Sequence, residues 1–251
     1  MKGIIIASFG TTHMDAFGAS IDRIKNQLKK MYPDIYTVHS FSSEMVRNAL
    51  KKRDINYFNM PEALLHMEEN GIRDISVLSL YVIPGIEYEK IIKQAKVYNN
   101  DKRLNIRFSE ALLTDEEDME NVAKVLKNLF QDKPTILMGH GTTVDVDKAY
   151  FDLQQKLDEM GEKIYVGTVE GGLEFDNVLE KLEEIEEKKV LLTPFLLVAG
   201  DHAKNDMGSD DEDSWASMLK QRGFDVEVEL KGLCERTEIN DLFYKKLEEI
   251  L

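Results

Sequence analysis

Short β-branched runs alternate along this chain with longer segments of helical periodicity. Ile4–Ser8, Ile35–His39, Ile75–Leu80 and Asn105–Phe108 read as strands, and Thr135–Met138, Lys163–Gly167, Val190–Pro194 and Val226–Leu230 repeat the series. Several are nearly continuous in apolar residues, the pattern of parallel strands covered on both faces. Between them the spacing predicts helices over Ala16–Met31, Pro61–Asn70, Tyr88–Tyr98, Asp115–Phe130, Asp147–Met160, Phe175–Glu187, Ser214–Gln221 and Glu238–Leu251. Gly71, Gly161 and Gly223 follow three of these as stop signals. Strands alternating with helices imply right-handed βα units. The expected fold is therefore α/β, with two similar doubly wound parallel-sheet halves and helices on both faces. A boundary near Gln131–Pro134 makes residues 1–131 an N-terminal half and 132–251 a C-terminal half, packed closely around a cleft. Ligands of such sheets bind beyond the carboxyl ends of the strands.

The two halves also resemble each other in sequence. Phe9-Gly10-Thr11-Thr12 closes an apolar run near the start, and His140-Gly141-Thr142-Thr143 closes another at mid-chain. Gly85-Ile86-Glu87 matches Gly200-Asp201-His202, each after a strand-like run. Tyr36 to Leu50 overlays Tyr165 to Leu179 without a gap, which sets Phe41 opposite Glu170. Three matched positions thus read Phe9, Phe41, Glu87 in the first half and His140, Glu170, His202 in the second. Two imidazoles and a carboxylate at equivalent loop positions are what an open divalent-metal site needs. The duplication accounts for the fold, and the asymmetry implies one working site.

Each of the three has a purely structural alternative: a loop hydrogen bond for His140, anchoring of the next helix for Glu170, and an ordinary capped helix start for His202. Asp201 or Asp206 is placed to orient the His202 ring. His13 could line the cleft, while His39 and His66 read as structural or surface residues. The acidic run Ser209-Asp210-Asp211-Glu212-Asp213 reads as a solvated loop and helix start, since it lacks the glycine and distal glutamate of a calcium loop. The Gly-Thr-Thr turns lack the glycine spacing and lysine of a P-loop, so no nucleotide is expected.

Bulk properties narrow the function classes. The 251 residues are 43% hydrophobic and carry a net charge of −15. That charge argues against nucleic-acid binding and anionic lipid surfaces. No apolar run approaches the length of a membrane span, and the start of the chain lacks the layout of a signal peptide, so a cytoplasmic protein is expected. The single cysteine, Cys234, excludes an internal disulfide and a cysteine-rich metal site.

Taken together, Ser8–Thr12, Ile83–Lys90, Met138–Thr142, Gly167–Gly171 and Ala199–Met207 with Ser214-Trp215 resemble the anaerobic sirohydrochlorin cobaltochelatases of the CbiK type, class II chelatases. The resemblance spans essentially the whole chain. Gly232-Leu233-Cys234-Glu235 departs from a Gly-Leu-Gly-Glu stretch of that family at Cys234. The resemblance implies ATP-independent insertion of Co²⁺, as substrate metal, into sirohydrochlorin or a related anionic tetrapyrrole during anaerobic cobalamin synthesis. It maps the metal ligands onto His140, Glu170 and His202. His140 and Glu87 are expected to serve catalysis, Glu87 by accepting a pyrrole proton or orienting the macrocycle. Phe9, Phe41 and Tyr81 are expected as apolar walls against the ring, and Lys90, Lys204 or backbone amides as partners of its carboxylates. Iron or nickel insertion, a non-catalytic haem or tetrapyrrole carrier, and a metallohydrolase stand as alternatives.

Overall fold

The computed structural model describes residues 1–131 and 133–251. Its chain runs β1 (Lys2–Ser8), α1 (Met14–Ala19), α2 (Ile21–Met31), β2 (Tyr36–Phe41), α3 (Glu44–Lys51), α4 (Met60–Glu69), β3 (Asp74–Leu80), α5 (Ile86–Tyr98) and β4 (Asn105–Phe108). It continues through α6 (Glu116–Leu129), β5 (Thr135–Gly139), α7 (Lys148–Glu159), β6 (Ile164–Thr168), α8 (Phe175–Glu183), β7 (Lys189–Pro194), α9 (Trp215–Gln221), β8 (Asp225–Val228) and α10 (Thr237–Glu248). A 3₁₀ turn at Asp145–Asp147 and a π-helical turn at Ala203–Met207 precede α7 and α9.

The strands form two parallel sheets of the same topology, ordered β2-β1-β3-β4 and β6-β5-β7-β8. Side chains alternate between sheet faces along a strand. In β1 the four consecutive residues Ile4, Ile5, Ile6 and Ala7 are all fully buried, so both faces of that sheet are covered. One face holds Ile5, Val38, Ile75 and Val77 against Met60, Leu64 and Met67 of α4 and Ile91 and Ala95 of α5. In the second sheet Ile136, Met138, Val190 and Leu192 pack with Val178 and Leu182 of α8 and Trp215 and Leu219 of α9. The expected α/β fold of two similar parallel-sheet halves is the one observed. Among the described residues no helix is long and apolar enough to cross a membrane.

The compact units do not divide where the sequence suggested. One comprises Met1–Leu112 with Asn240–Leu251, the other Leu113–Ile239. The expected junction at 131/132 involves Asp132, which lies outside the described residues. The helix α6, assigned to the first half, packs on α7, and its Lys127 pairs with Glu162 at 2.6 Å. The end of the chain joins the first unit, where the Ile250 carbonyl accepts hydrogen bonds from Ser76 Oγ (2.8 Å) and Arg107 Nε (2.6 Å).

Two local differences have clear causes. The expected helix over 16–31 is broken at Ser20, whose hydroxyl donates back to the Ala16 carbonyl and whose backbone leaves helical geometry at φ −115°, ψ −93°. The short α3 was not expected. Only Val46 and Leu50 of it are buried, and Ser43 caps it by accepting from the Val46 amide.

His39 in β2 is buried among Phe17 and Tyr57, 3.4 Å from Asp22 Oδ1. Burial, helped by Lys25 and Lys29 and opposed by Asp22, lowers its pKa from 6.5 to about 4. A histidine whose pKa falls on folding binds its proton more readily in the unfolded chain. Its contribution is therefore complete above the unfolded value and is lost as pH falls from about 6.5 towards about 4. Urea unfolding at pH 7 and pH 4.5 is expected to show wild type losing about 2 kcal/mol more than a His39→Phe variant. Equal losses in the two proteins would contradict the assignment.

Candidate metal and substrate site

Because the second sheet is parallel, β5, β6 and β7 deliver their carboxyl ends to one edge. His140 follows β5 directly, and Glu170 lies two residues beyond β6. His202 lies in the loop after β7, at the entry to the π-helical turn. The structure brings the three together: one candidate ligand atom from each lies within 4.8 Å of the others. The imidazole centroids of His140 and His202 are 4.9 Å apart with the rings nearly perpendicular. His140 Nδ1 is 3.8 Å from Glu170 Oε2. All three side chains are at least a third exposed, so a ligand reaches them from solvent.

The hydrogen bonds of the two rings engage Nδ1 in each. His140 Nδ1 lies 3.1 Å from the Gly141 carbonyl, and His202 Nδ1 lies 2.5 Å from Asp206 Oδ2. Carbonyl and carboxylate oxygens only accept, so each Nδ1 carries a hydrogen, and in the neutral ring each Nε2 keeps its lone pair. Of the two acidic candidates for orienting His202, Asp206 makes this bond through one turn of helix.

The loops carrying His140 and Glu170 are joined by backbone. The Glu170 amide donates to the His140 carbonyl at 2.8 Å, and the Val169 amide to the Gly139 carbonyl at 3.1 Å. Gly141 has φ +79°, and a Cβ there would stand 2.3 Å from the Gly171 nitrogen, so only glycine fits this crossing.

The same backbone pattern recurs in the first unit, where Ser43 donates to the Phe9 carbonyl (3.2 Å) and Ser42 to that of Ser8 (2.9 Å). Strand register agrees, since Ser8 pairs with Phe41 and Gly139 with Thr168. The structural counterpart of Glu170 is therefore Ser43, and that of Phe41 is Thr168. The gapless sequence overlay was two residues out of step here. The counterparts Phe9 for His140 and Glu87 for His202 stand, because Gly85 and Gly200 each donate to the carbonyl two residues earlier in matching turns.

Of the expected apolar walls, Phe9 is 44% exposed at the end of β1. Phe41 is fully buried, stacked on Tyr57 at 4.2 Å and edge-on to Phe17. Tyr81 is also buried, and burial pushes its phenol pKa up, with the Ser42 hydroxyl opposing and Glu87 adding to the shift. Both inward-facing rings are core residues and offer no surface to a ligand. Two exposed apolar side chains at that rim were missed: Met45 at 75% and Ile86 at 58%, in the first turns of α3 and α5. An apolar residue at the first or second position of a helix gives no periodic signal, which is why the sequence hid them.

Glu87, in the first turn of α5, has Lys90 Nζ 3.2 Å from both carboxylate oxygens. Lys90 also donates to the Ser42 carbonyl at 2.9 Å, so it is committed within the unit. Lys204 lies in the turn after His202. The remaining histidines are accounted for locally. His39 is in the core, His66 stacks on Phe58 and bonds Tyr36, and His13 precedes α1. The acidic run leads to Ser214, which caps α9 by accepting from the Ser217 amide. Cys234 is fully buried, where burial raises its thiol pKa.

Residues 2–251 match a family model described as cobalt chelatase (CbiK). The sirohydrochlorin cobaltochelatase of Salmonella typhimurium is 31% identical, with the alignment covering 100% of this chain and 96% of that protein. The sirohydrochlorin cobaltochelatase CbiKC of Nitratidesulfovibrio vulgaris is 28% identical over 98% of this chain and 89% of its own. Among solved structures, SirB from Bacillus subtilis with Fe³⁺ aligns over 99% of this chain and 95% of its own with a TM-score of 0.67. At 14% identity that likeness concerns the fold. The match over residues 2–251 and the 31% identical full-length relative show that the chain belongs to the cobalt chelatase (CbiK) family.

Proposed function

We propose that the protein inserts Co²⁺ into sirohydrochlorin, an anionic tetrapyrrole, by a reaction that consumes no nucleotide. The observation that carries this reading is the convergence of His140, Glu170 and His202 at one sheet edge, each within 4.8 Å of the others through a ligand atom. The relatives named for the same reaction support the choice of metal and macrocycle.

Chelation moves a partly dehydrated cation into a ring of four nitrogens and removes two pyrrole protons. Three protein ligands hold a divalent ion while leaving coordination positions open to incoming nitrogens. The bare Nε2 atoms of His140 and His202 supply two of them, and the Glu170 carboxylate adds a hard, charged third. As the macrocycle takes over the metal, ligand groups released from it become bases for the displaced protons. Glu87 acts in the first unit, accepting a pyrrole proton or orienting the ring, with Lys90 fixing its carboxylate. Phe9, joined by the exposed Met45 and Ile86, supplies apolar surface for the macrocycle.

Mixing the protein with excess sirohydrochlorin and Co²⁺ without oxygen, and following the absorbance spectrum, is expected to show many equivalents converted per protein. A shift that stops at one equivalent would identify a carrier instead. His140→Ala and His202→Ala are each expected to slow insertion at least about tenfold, roughly 1.4 kcal/mol of transition-state stabilisation. Near wild-type rates in both would remove the triad from the mechanism. Glu87→Gln is expected to lower kcat while leaving Co²⁺ affinity, measured by calorimetry without tetrapyrrole, unchanged. An unaltered kcat would remove its role in proton transfer or ring orientation.

A further inference from the structure

Asp147 ends the 3₁₀ turn before α7 and is 8% exposed. Its carboxylate reaches in two directions. Oδ1 accepts from the Thr142 amide at 3.0 Å, two residues beyond His140. Oδ2 accepts from the Gly172 amide at 2.7 Å, two residues beyond Glu170. One buried side chain therefore spans both loops. Gly171 between them has no room for a Cβ, which would stand 2.4 Å from Oδ1 and 2.7 Å from Oδ2. One turn further on, Tyr150 is buried against Gly139, where a Cβ would stand 2.8 Å from its ring. The residue before α7 thus holds one residue of the His140 loop and one of the Glu170 loop.

We propose that Asp147 is a positioning residue for the substrate metal: its carboxylate sets the separation of His140 from Glu170. This rests on the reading of His140, Glu170 and His202 as the Co²⁺ site. A buried carboxylate accepting two amide hydrogens makes strong, charge-assisted bonds. The backbone bonds from Glu170 to His140 and from Val169 to Gly139 join the loops only where they leave the strands. Asp147 adds a third and a fourth attachment further out, at Thr142 and Gly172, which restrain the loops beyond the strand ends. Groups that orient metal ligands commonly change metal affinity about 10- to 100-fold when removed. The first unit offers a comparison within the chain. Counted from the shared Gly-Thr-Thr, the position of Asp147 is held there by Ala16, in the unit whose matched rim residues are Phe9, Ser43 and Glu87.

The test titrates Co²⁺ into the intact protein and reads both affinity and the visible ligand-field bands of the bound ion. Asp147→Ala is expected to bind at least about tenfold more weakly, with altered band positions or intensity. Asp147→Asn, which keeps the shape and turns a donor towards one loop, is expected to alter the bands in the same direction with a smaller loss. Leu126→Ala, in the buried face of α6, is the control for general destabilisation. It is expected to lower Tm while leaving affinity and spectrum as in wild type. If wild type itself shows no Co²⁺ bands, the metal-site reading fails. If wild type binds and the Asp147→Asn spectrum and affinity are unchanged, the positioning role is overturned. An equal loss in Leu126→Ala would overturn it as well, by making Asp147 a brace for stability alone.

Discussion

Parallel strands all finish at the same edge of their sheet, and the geometry of the site depends on that constraint. A residue placed just after β5 and another just after β6 are neighbours whatever their identity, because Gly139 and Thr168 are already paired. The amide of Glu170 then bonds the carbonyl of His140 as a continuation of the ladder. Residues 30 apart in sequence are thereby held within reach of one cation. His202 comes from β7 on the other side of β5, so the central strand is flanked by both partners. The juxtaposition of these three side chains is a consequence of strand order.

The first unit obeys the same constraint with different chemistry. Its sheet has the same order, and its first two strands continue into the same pair of loop-to-loop backbone bonds. At the matched positions stand Phe9, Ser43 and Glu87. A ring, a hydroxyl that caps α3 and one carboxylate do not make a metal site comparable to two imidazoles and a carboxylate. What they offer is apolar surface and a single acid–base group. The two units thus share a hydrogen-bond frame and differ in their rim residues.

The strands were legible in the sequence because burial on both faces leaves continuous runs such as Ile4-Ile5-Ile6-Ala7, a signal little affected by helix or turn chemistry. His140, Glu170 and His202 were legible because polar residues stand out after such runs, beside glycines. The register was harder. Two residues separate β2 from α3, whereas six separate β6 from α8, so no gapless overlay matches both the strand ends and the helix starts, and the one from Tyr36 to Leu50 misses each by two residues. The burial of Phe41 and Tyr81 was not legible, since a ring at a strand end reads alike whether it faces the core or solvent. Nor was the return of the C-terminus to the first unit, which rests on the Ile250 carbonyl meeting Ser76 and Arg107 from distant segments. The break at Ser20 depends on one hydroxyl choosing the Ala16 carbonyl, a competition that periodicity does not record.

The claim that one rim of two carries the metal is tested most directly by diffraction at the cobalt absorption edge from crystals soaked in Co²⁺. The account predicts an anomalous peak at coordination distance, about 2 Å, from Nε2 of His140 and Nε2 of His202, with a Glu170 oxygen completing the set. A peak at Phe9, Ser43 and Glu87 instead, or none at His140 and His202 in crystals whose protein binds Co²⁺ in solution, would contradict it.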